Sequence, residues 1–327
     1  MSLERSPEEG GAALSGVVVH WNDEDGLRRL LDAWPRDGRF PLVVVDNSGG
    51  LGADSLPSGV IYDDPEANLG FGGGVERGRR TLEAHGVRWR WLLILNPDAV
   101  PEPGALEDLL EVAETWRRED PRLVGVAPTL RDPDGSGQHR WQLQPLPSPG
   151  TLIAQVFFLG GERGPKERPL EGAEVEQPAA AVLALHRAAL DGRGILFDPG
   201  YFPAWFDDVD LARRLKDRGL RLRYTRRAAF AHARGGSVPA LGYGRFLFIY
   251  YRNLVRYLRL HHGAGWALLA RLVLPLSLSL RVLLLPLRKP RRAASRSQAA
   301  RDLMGVALGA LSGWRAPAAW ARAGEDR

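Results

Sequence analysis

Several short groups of residues have the types and spacing to do chemistry. Asp207-Asp208-Val209-Asp210 is the densest run of carboxylates, and Tyr201, Phe202, Trp205 and Phe206 precede it. An aromatic wall with acids at a helix start can hold a sugar ring and supply a general base for a hydroxyl. The same acids suit an ordinary first helical turn, with Asp207 as cap and Asp210 paired to Arg214 four residues on. Asn96-Pro97-Asp98 follows an apolar run. A carboxylate there is either a ligand for Mg2+ or Mn2+ beside phosphates or a turn former. Asn68-Leu-Gly-Phe-Gly-Gly-Gly74 offers a backbone surface for a flat or phosphorylated ligand, leading into a helix N-terminus, or else a flexible turn. It does not fit the dinucleotide fingerprint, which belongs in the first strand-to-helix turn. His232 lies in Phe230-Ala-His-Ala-Arg-Gly-Gly-Ser237 and is either a metal or diphosphate ligand or a structural histidine.

The elements that must position these groups follow from hydrophobic periodicity. Short apolar runs predict strands at 16–20, 41–46, 60–62, 91–95, 123–127 and 179–185. Helical spacing predicts helices at 24–34, 74–85, 104–118, 207–218 and 243–260. Two further strands are expected at 220–224 and 228–232. A hairpin is expected around Asp132-Pro-Asp-Gly-Ser-Gly137, and a long loop with a short helix over 144–178. Apolar strands alternating with helices imply an α/β fold with a mostly parallel sheet covered on both faces. Ligands of such sheets bind at the carboxyl ends of the strands. Polar residues stand after four successive predicted strands: His20, Asn22 and Asp23; Asp46, Asn47 and Ser48; Asn68 and the glycines; Asn96 and Asp98.

In this order the segments resemble the family-two GT-A glycosyltransferases, in particular their rhamnosyltransferase-like bacterial branch. The matching stretches are VVVHWN (17–22), VVVDNSGG (43–50), NLGFGGGVERG (68–78), LILNPDAVP (93–101), FPAWFDDVDLARRLKDRG (202–219), HARGGS (232–237) and YYRNLVRYLRLHHG (250–263). The resemblance implies a GT-A, Rossmann-like domain over about 16–263. It implies that Asp46 binds the pyrimidine of a nucleotide-sugar, with His20, Asn22 and Asn47 in the same pocket and Asn68, Gly70 and Gly73 along the nucleoside. Asp98 would be the surviving acid of the metal-binding D-x-D motif, His232 would stand near the metal and diphosphate, and Arg252 and Asn253 would open the closing helix. Asp208 would be the general base of an inverting transfer, with Trp205, Phe206 and Asp207 on the acceptor side. The donor implied is dTDP-L-rhamnose or a UDP-linked sugar, and the acceptor a lipid-linked or cell-surface glycan. Three positions depart from the family pattern: Asn96 and Asp207, where acids Asp and Glu are usual, and Glu76, where Asn is usual.

The 327 residues include no cysteine, which excludes disulfides, thiolate nucleophiles, zinc–cysteine sites and iron–sulfur clusters. Charge is split along the chain. Residues 1–210 hold 35 acidic and 20 basic side chains, residues 211–327 hold 4 and 24. An acidic body with a basic tail suits an anionic surface. Residues 1–15 read as a flexible tail without the pattern of a secretory signal, so the chain is expected in the cytoplasm. Trp266–Leu287 is long and apolar, but Arg271, Pro275 and Arg281 oppose a simple membrane span. The expectation for 264–327 is a helix in the interface of the inner membrane face, with Ser277, Arg281 and Arg288 toward anionic headgroups. A helix packed on the body or on a second subunit is the competing reading. Two other functions stand beside glycosyl transfer. One is a catalytically degenerate transferase-like scaffold, raised by Asn96 and Glu76. The other is an Arg-rich nucleic-acid binder, which would explain the tail but not the strand-end polar groups, so nucleic acid is not an expected partner.

Overall fold

The computed structural model describes residues 13–157, 161–233, 241–287, 290 and 293–315. In chain order its elements are β1 (Leu14–His20), α1 (Glu24–Ala33), β2 (Leu42–Asp46), β3 (Val60–Asp63), α2 (Gly70–Ala84), β4 (Trp91–Leu95), β5 (Ala99–Pro101), α3 (Ala105–Glu119), β6 (Leu123–Arg131), α4 (His139–Gln142), β7 (Leu143–Gln144), α5 (Pro149–Val156), β8 (Glu174–Val175), β9 (Gln177–Pro178), β10 (Val182–His186), α6 (Asp207–Asp217), β11 (Arg221–His232), α7 (Tyr243–His261), α8 (Ala264–Leu284) and α9 (Arg296–Leu311). Among the described residues nine strands form one sheet in the order β3-β2-β1-β4-β10-β6-β11-β5, with β8 also on β11. Strands β1, β2, β3, β4, β6 and β11 point one way, and β5, β8 and β10 oppose them. The sheet is therefore mostly parallel, as its apolar strands predict.

Alternation along β1 shows how the sheet is covered. Leu14 and Val18 face the core under α1 and α3, whereas Val17 and Val19 face the core under α2 and α6. Helix α1 starts where the Asp23 side chain accepts from the backbone N–H of Gly26, and it buries Leu27, Leu30 and Leu31. A third core joins α5, α7, α8 and α9.

The sequence reading needs four corrections in the fold. Leu14 and Ser15, expected in the tail, belong to β1, because both side chains are buried in the sheet; residues 1–12 lie outside the described residues. The glycine run is not a loop before a helix at residue 74, since α2 begins at Gly70. The reason is close packing: a Cβ on Gly74 would stand 2.7 Å from Val19, so only glycine lets this helix approach β1. The turn at 132–137 closes with the Gly135 N–H on the Asp132 carbonyl and folds the chain back as expected, but only through a single antiparallel bridge between Arg131 and Gly137, after which the chain enters α4 rather than a second strand. There the Gln138 amide is pulled inward to Asp132 and the His232 carbonyl. The strands expected at 220–224 and 228–232 are one continuous strand, β11, whose register on β6 shifts between Tyr224 and Ala229.

Candidate active site

The carboxyl ends of β1, β2, β4 and β11 lie on one edge of the sheet, and the start of β10 reaches the same edge, because Val182 pairs with Leu95. At the end of β1 and β2, the His20 Nδ1–H donates to Asp46 Oδ1 at 3.0 Å, while His20 Nε2 accepts from the backbone N–H of Asp23. Those two bonds set the neutral tautomer. Asp46 Oδ1 also accepts from the Ser48 hydroxyl and backbone, and Oδ2 from the Leu51 N–H. Burial opposes ionisation of Asp46, yet these donors hold its carboxyl well below the usual range. Both its oxygens are engaged by protein donors, so in this structure Asp46 holds the turn that presents Asn47 and Ser48. Asn22 sits exposed at the tip of β1 in the left-handed region, φ 52°, with its N–H on the Ser48 hydroxyl.

Asn47 connects this turn to the glycines. Its side-chain N–H donates to the Gly70 carbonyl at 2.9 Å, and its carbonyl accepts from the Leu69 N–H. Asn68 accepts from the Gly70 N–H at 2.8 Å. Gly70 has φ +70°, and a Cβ there would lie 2.6 Å from the Pro203 carbonyl oxygen. The adjacent Phe71 N–H donates to that same oxygen. Gly73 is partly exposed on the same turn. The turn after β2, the first turn of α2 and the segment leading to the acids are thus one bonded unit.

That segment carries unusual backbone. Trp205 and Phe206 are both left-handed, with φ 70° and 71°, immediately before α6. Bulky residues rarely adopt this conformation, and the surroundings must impose it. Asn253 does so: its buried side-chain N–H group faces the carbonyls of Tyr201, Ala204 and Trp205 at 2.8, 2.8 and 3.0 Å. Arg252 adds a bond to the Phe202 carbonyl. These two residues lie in the middle of α7 rather than at its opening, so the helix passes behind the segment and clamps it. Asn253→Ala leaves three inward carbonyls without their donor. We expect a loss of about 1–3 kcal/mol in denaturant unfolding, accompanied by lower transfer activity even where the variant is fully folded. Full activity in the folded variant would show that the clamp does not serve the site.

The acids themselves separate in role. Asp210 is buried and accepts from Tyr201, Arg214 and His261 at 3.1, 2.8 and 2.7 Å. Burial opposes its charge, but His261 and Arg214 keep its carboxyl below the ordinary range. Asp207 is 4% exposed, and burial followed by the charge of Asp208 pushes its carboxyl well up, against the pull of backbone donors including Gly72. The folded chain therefore holds the Asp207 proton more tightly than the unfolded chain does. Its contribution to stability is present in acid and is lost as pH rises from the ordinary carboxylate range through the raised value. Asp207→Asn is expected to raise the melting temperature at about pH 8, with the gain shrinking toward about pH 4. A gain that is equal at both pH values would refute the assignment.

Asp208 differs from both. It is partly exposed on the wall of a cleft of about 480 Å³. Its Oδ1 accepts from the Val209 N–H, and its Oδ2 faces the Gln177 amide at 3.3 Å. Burial raises its carboxyl above the ordinary range. The cleft is also lined by Phe71, Asn96, Trp141, Trp205, Phe206 and Tyr250. Phe206 and Tyr250 pack with ring centroids 5.3 Å apart, and Trp205 meets Phe246 edge-on at 4.9 Å.

Asn96 links the cleft to Asp98 and His232. Strand β5 runs back along β11 with Ala99 opposite His232, which brings Asp98 beside the histidine. His232 Nε2 stands 3.4 Å from Asp98 Oδ1 and 3.4 Å from the Asn96 amide. Its Nδ1 donates to Gln138 Oε1 at 2.9 Å, and Trp141 stacks on the ring. Burial, then the charge of Asp23, lifts the Asp98 carboxyl to about 6, and its Oδ2 is buried without a hydrogen-bond partner. The three acids Asp46, Asp98 and Asp208 therefore share one edge of the sheet.

Gln138, Trp141 and Gln177 were not anticipated; they sit in turns and short elements where spacing carries no signal. Glu76, which departs from the family pattern, accepts from the Leu196 and Phe197 N–H groups at 2.6 and 3.1 Å and pairs with Arg79. It anchors the chain that leads to the aromatic segment.

No family model matches the chain. It is 30% identical over 303 residues to the N-acetylglucosaminyl-diphospho-decaprenol L-rhamnosyltransferase of Mycobacterium tuberculosis, covering 84% of this chain and 94% of that protein. The chain belongs to the rhamnosyltransferase-like branch of the family-two GT-A glycosyltransferases. Solved structures similar to this glycosyltransferase include the mannosyltransferase PcManGT from Pyrobaculum calidifontis in complex with GDP-Man and Mn2+, at 16% identity and TM-score 0.48 over 93% of this chain and 88% of that one. They also include S. aureus TarS 1-349 in complex with UDP-GlcNAc, at 14% identity and TM-score 0.47 over 91% and 81%. In this glycosyltransferase Asn96, at the end of β4, lines the same cleft as Trp205, Phe206 and Asp208.

Proposed function

We propose that this glycosyltransferase moves L-rhamnose, with inversion, from dTDP-L-rhamnose to a hydroxyl of a lipid-linked glycan. The observation that carries the mechanism is Asp208: a half-buried carboxylate on the wall of an aromatic-lined cleft, at the start of a helix and one residue from a buried acid. The sugar and the acceptor class follow the mycobacterial relative, whose name specifies L-rhamnosyl transfer to N-acetylglucosaminyl-diphospho-decaprenol.

In this reading Asp208 takes the proton from the acceptor hydroxyl as its oxygen attacks the anomeric carbon. The bond to the diphosphate breaks on the opposite face, and the nucleoside diphosphate leaves with the electron pair. Trp205, Phe206 and Tyr250 form the wall for the acceptor sugar, and Asp207 shapes it from below. His20, Asn22 and Asn47 line the nucleoside pocket on the turn held by Asp46, with Asn68, Gly70 and Gly73 along it.

A divalent cation, Mg2+ or Mn2+, fits the remaining groups. Asp98 Oδ2 is an unpartnered buried oxygen, and with Nδ1 on Gln138, His232 turns its Nε2 toward the other oxygen of the same carboxyl, Oδ1, at 3.4 Å. Among the described residues no group of three or more His, Asp or Glu side chains gathers around one point, so diphosphate oxygens would complete such a site. The cation would offset charge on the leaving diphosphate.

The test is transfer by the purified full chain from dTDP-L-rhamnose to N-acetylglucosaminyl-diphospho-polyprenol, read by mass spectrometry of the lipid. Addition of one deoxyhexose is expected. Transfer from a UDP-linked sugar instead would overturn the donor assignment, and release of dTDP without lipid product would overturn the acceptor.

A further inference from the structure

Helix α8 has two unlike faces. Ala267, Ala270, Leu274, Ser277, Leu278 and Arg281 are buried against α5, α7 and α9. The opposite face is a row of leucines at helical spacing, among which Leu272, Leu276 and Leu283 are 61%, 65% and 74% exposed. Leu268, Leu269 and Leu280 continue the row, and Met304, Leu308 and Leu311 of α9 are exposed as well. Ser277 and Arg281 are not placed for the headgroup contacts expected of them and do not face outward: both donate to the Val156 carbonyl, and Arg281 lies over the Tyr251 ring. Arg271 is turned to the Ala310 carbonyl at the end of α9. The inward positions take the polar groups because the ends of α5 and α9 present carbonyls that need donors. Arg288 lies outside the described residues.

From this arrangement we infer that the leucine face of α8 lies in the outer layer of an anionic phospholipid membrane and anchors the chain there as a peripheral, one-leaflet attachment of residues 264–327. Three observations favour lipid over a protein partner. The face is almost wholly aliphatic, whereas protein interfaces draw on Tyr, Trp and Arg anchors and a polar rim. Residues 264–327 contain 11 Lys and Arg against 3 Asp and Glu, and with the inward Arg271 and Arg281 set aside the 9 others still give a basic excess that complements anionic headgroups. The helix is long and apolar enough to cross a membrane, but its packing partner α7 carries Arg245, Arg252, Arg256 and Arg259, which oppose deep entry of the bundle. The face is also placed for use. Val156, which Ser277 and Arg281 grip, ends α5, and Leu152 and Gln155 of α5 line the Asp208 cleft. A lipid-borne acceptor would reach the cleft along that helix. The inference does not depend on which sugar is moved.

The full chain and the variant L272Q/L276Q/L283Q would be floated with phosphatidylglycerol vesicles and with phosphatidylcholine vesicles. Because the three side chains are mostly in solvent, the variant should keep the parent's circular dichroism and melting temperature. The single variant L283Q, at the most exposed of the three, guards against misfolding. The parent is expected to float with phosphatidylglycerol and far less with phosphatidylcholine. The triple variant should lose about tenfold of its bound fraction, with a smaller loss for L283Q. Equal flotation of parent and folded variants would overturn the inference, as would failure of the parent to bind. So would a parent dimer that the triple variant converts to monomer without a change in flotation, which would make the face a contact between two copies. Resistance of the bound parent to alkaline carbonate would replace the one-leaflet attachment with a span.

Discussion

Asp208→Asn is expected to lower turnover by about 10²–10⁴-fold while the donor still binds. The substitution keeps the shape of the side chain and its acceptor oxygen for the Val209 N–H, but removes the proton acceptor facing the cleft. Donor affinity should change little, because the residues assigned to the nucleoside lie at the ends of β1 and β2 and on the first turn of α2, bonded to one another rather than to Asp208. Steady-state rates together with isothermal titration of dTDP separate the two. Unchanged turnover removes Asp208 from the mechanism. An equal loss of turnover and of dTDP binding would instead mean a damaged fold. The raised carboxyl of Asp208 adds a pH signature. The base must be ionised to act, so activity should fall on the acid side at a higher pH than an unperturbed aspartate would set.

The second large effect is expected at Asp98. Asp98→Asn removes the carboxylate 3.4 Å from His232 Nε2, and with it the group best placed to hold a divalent cation against the diphosphate. Losing an electrostatic contact made to the charge that develops on the leaving group costs roughly 10²–10³ in turnover. A thermal-shift titration distinguishes this from a folding defect. The parent should be stabilised more by dTDP with Mn2+ than by dTDP alone, since a ligand that binds only the folded state raises its melting temperature by mass action. In the variant the two shifts should coincide. A variant that keeps the Mn2+-dependent increment would show that Asp98 is not a ligand. Fold stability alone should not suffer, because Asp98 Oδ2 has no protein partner to lose and the Asp98 carboxyl is already held up by burial.

Much of the scaffold could be read along the chain because it follows local periodicity. The stretches 17–19, 42–45 and 91–95 are unbroken apolar runs, and such runs fit strands covered on both faces. Helix α3 buries Leu106, Leu109 and Val112, spaced by three, and was placed to within a residue. Where reading along the chain failed, a contact between distant segments had decided the local structure. Four glycines within the five residues 70–74 favour a turn by intrinsic preference. They became helix because Gly74 meets Val19, 55 residues earlier in the chain, at a distance no side chain tolerates. Six turn-forming residues at 132–137 do fold the chain back, but the hairpin is one bridge long, and beyond it His232 draws Gln138 inward.

By itself the sequence determined the order of strands and helices, the placement of polar residues after successive strands, and a pattern of motifs dense enough to name the family. Only the tertiary structure decided what each polar group does, because that depends on partners far away in the chain. It turned Asp46 into the holder of a turn and Asn253 into the clamp on two left-handed aromatic residues. It separated three adjacent acids into a paired Asp210, a buried Asp207 and a cleft-facing Asp208. It also turned the arginines of α8 inward and its leucines out, since periodicity gives the angle between two residues on a helix but not which way the helix is rolled against its neighbours.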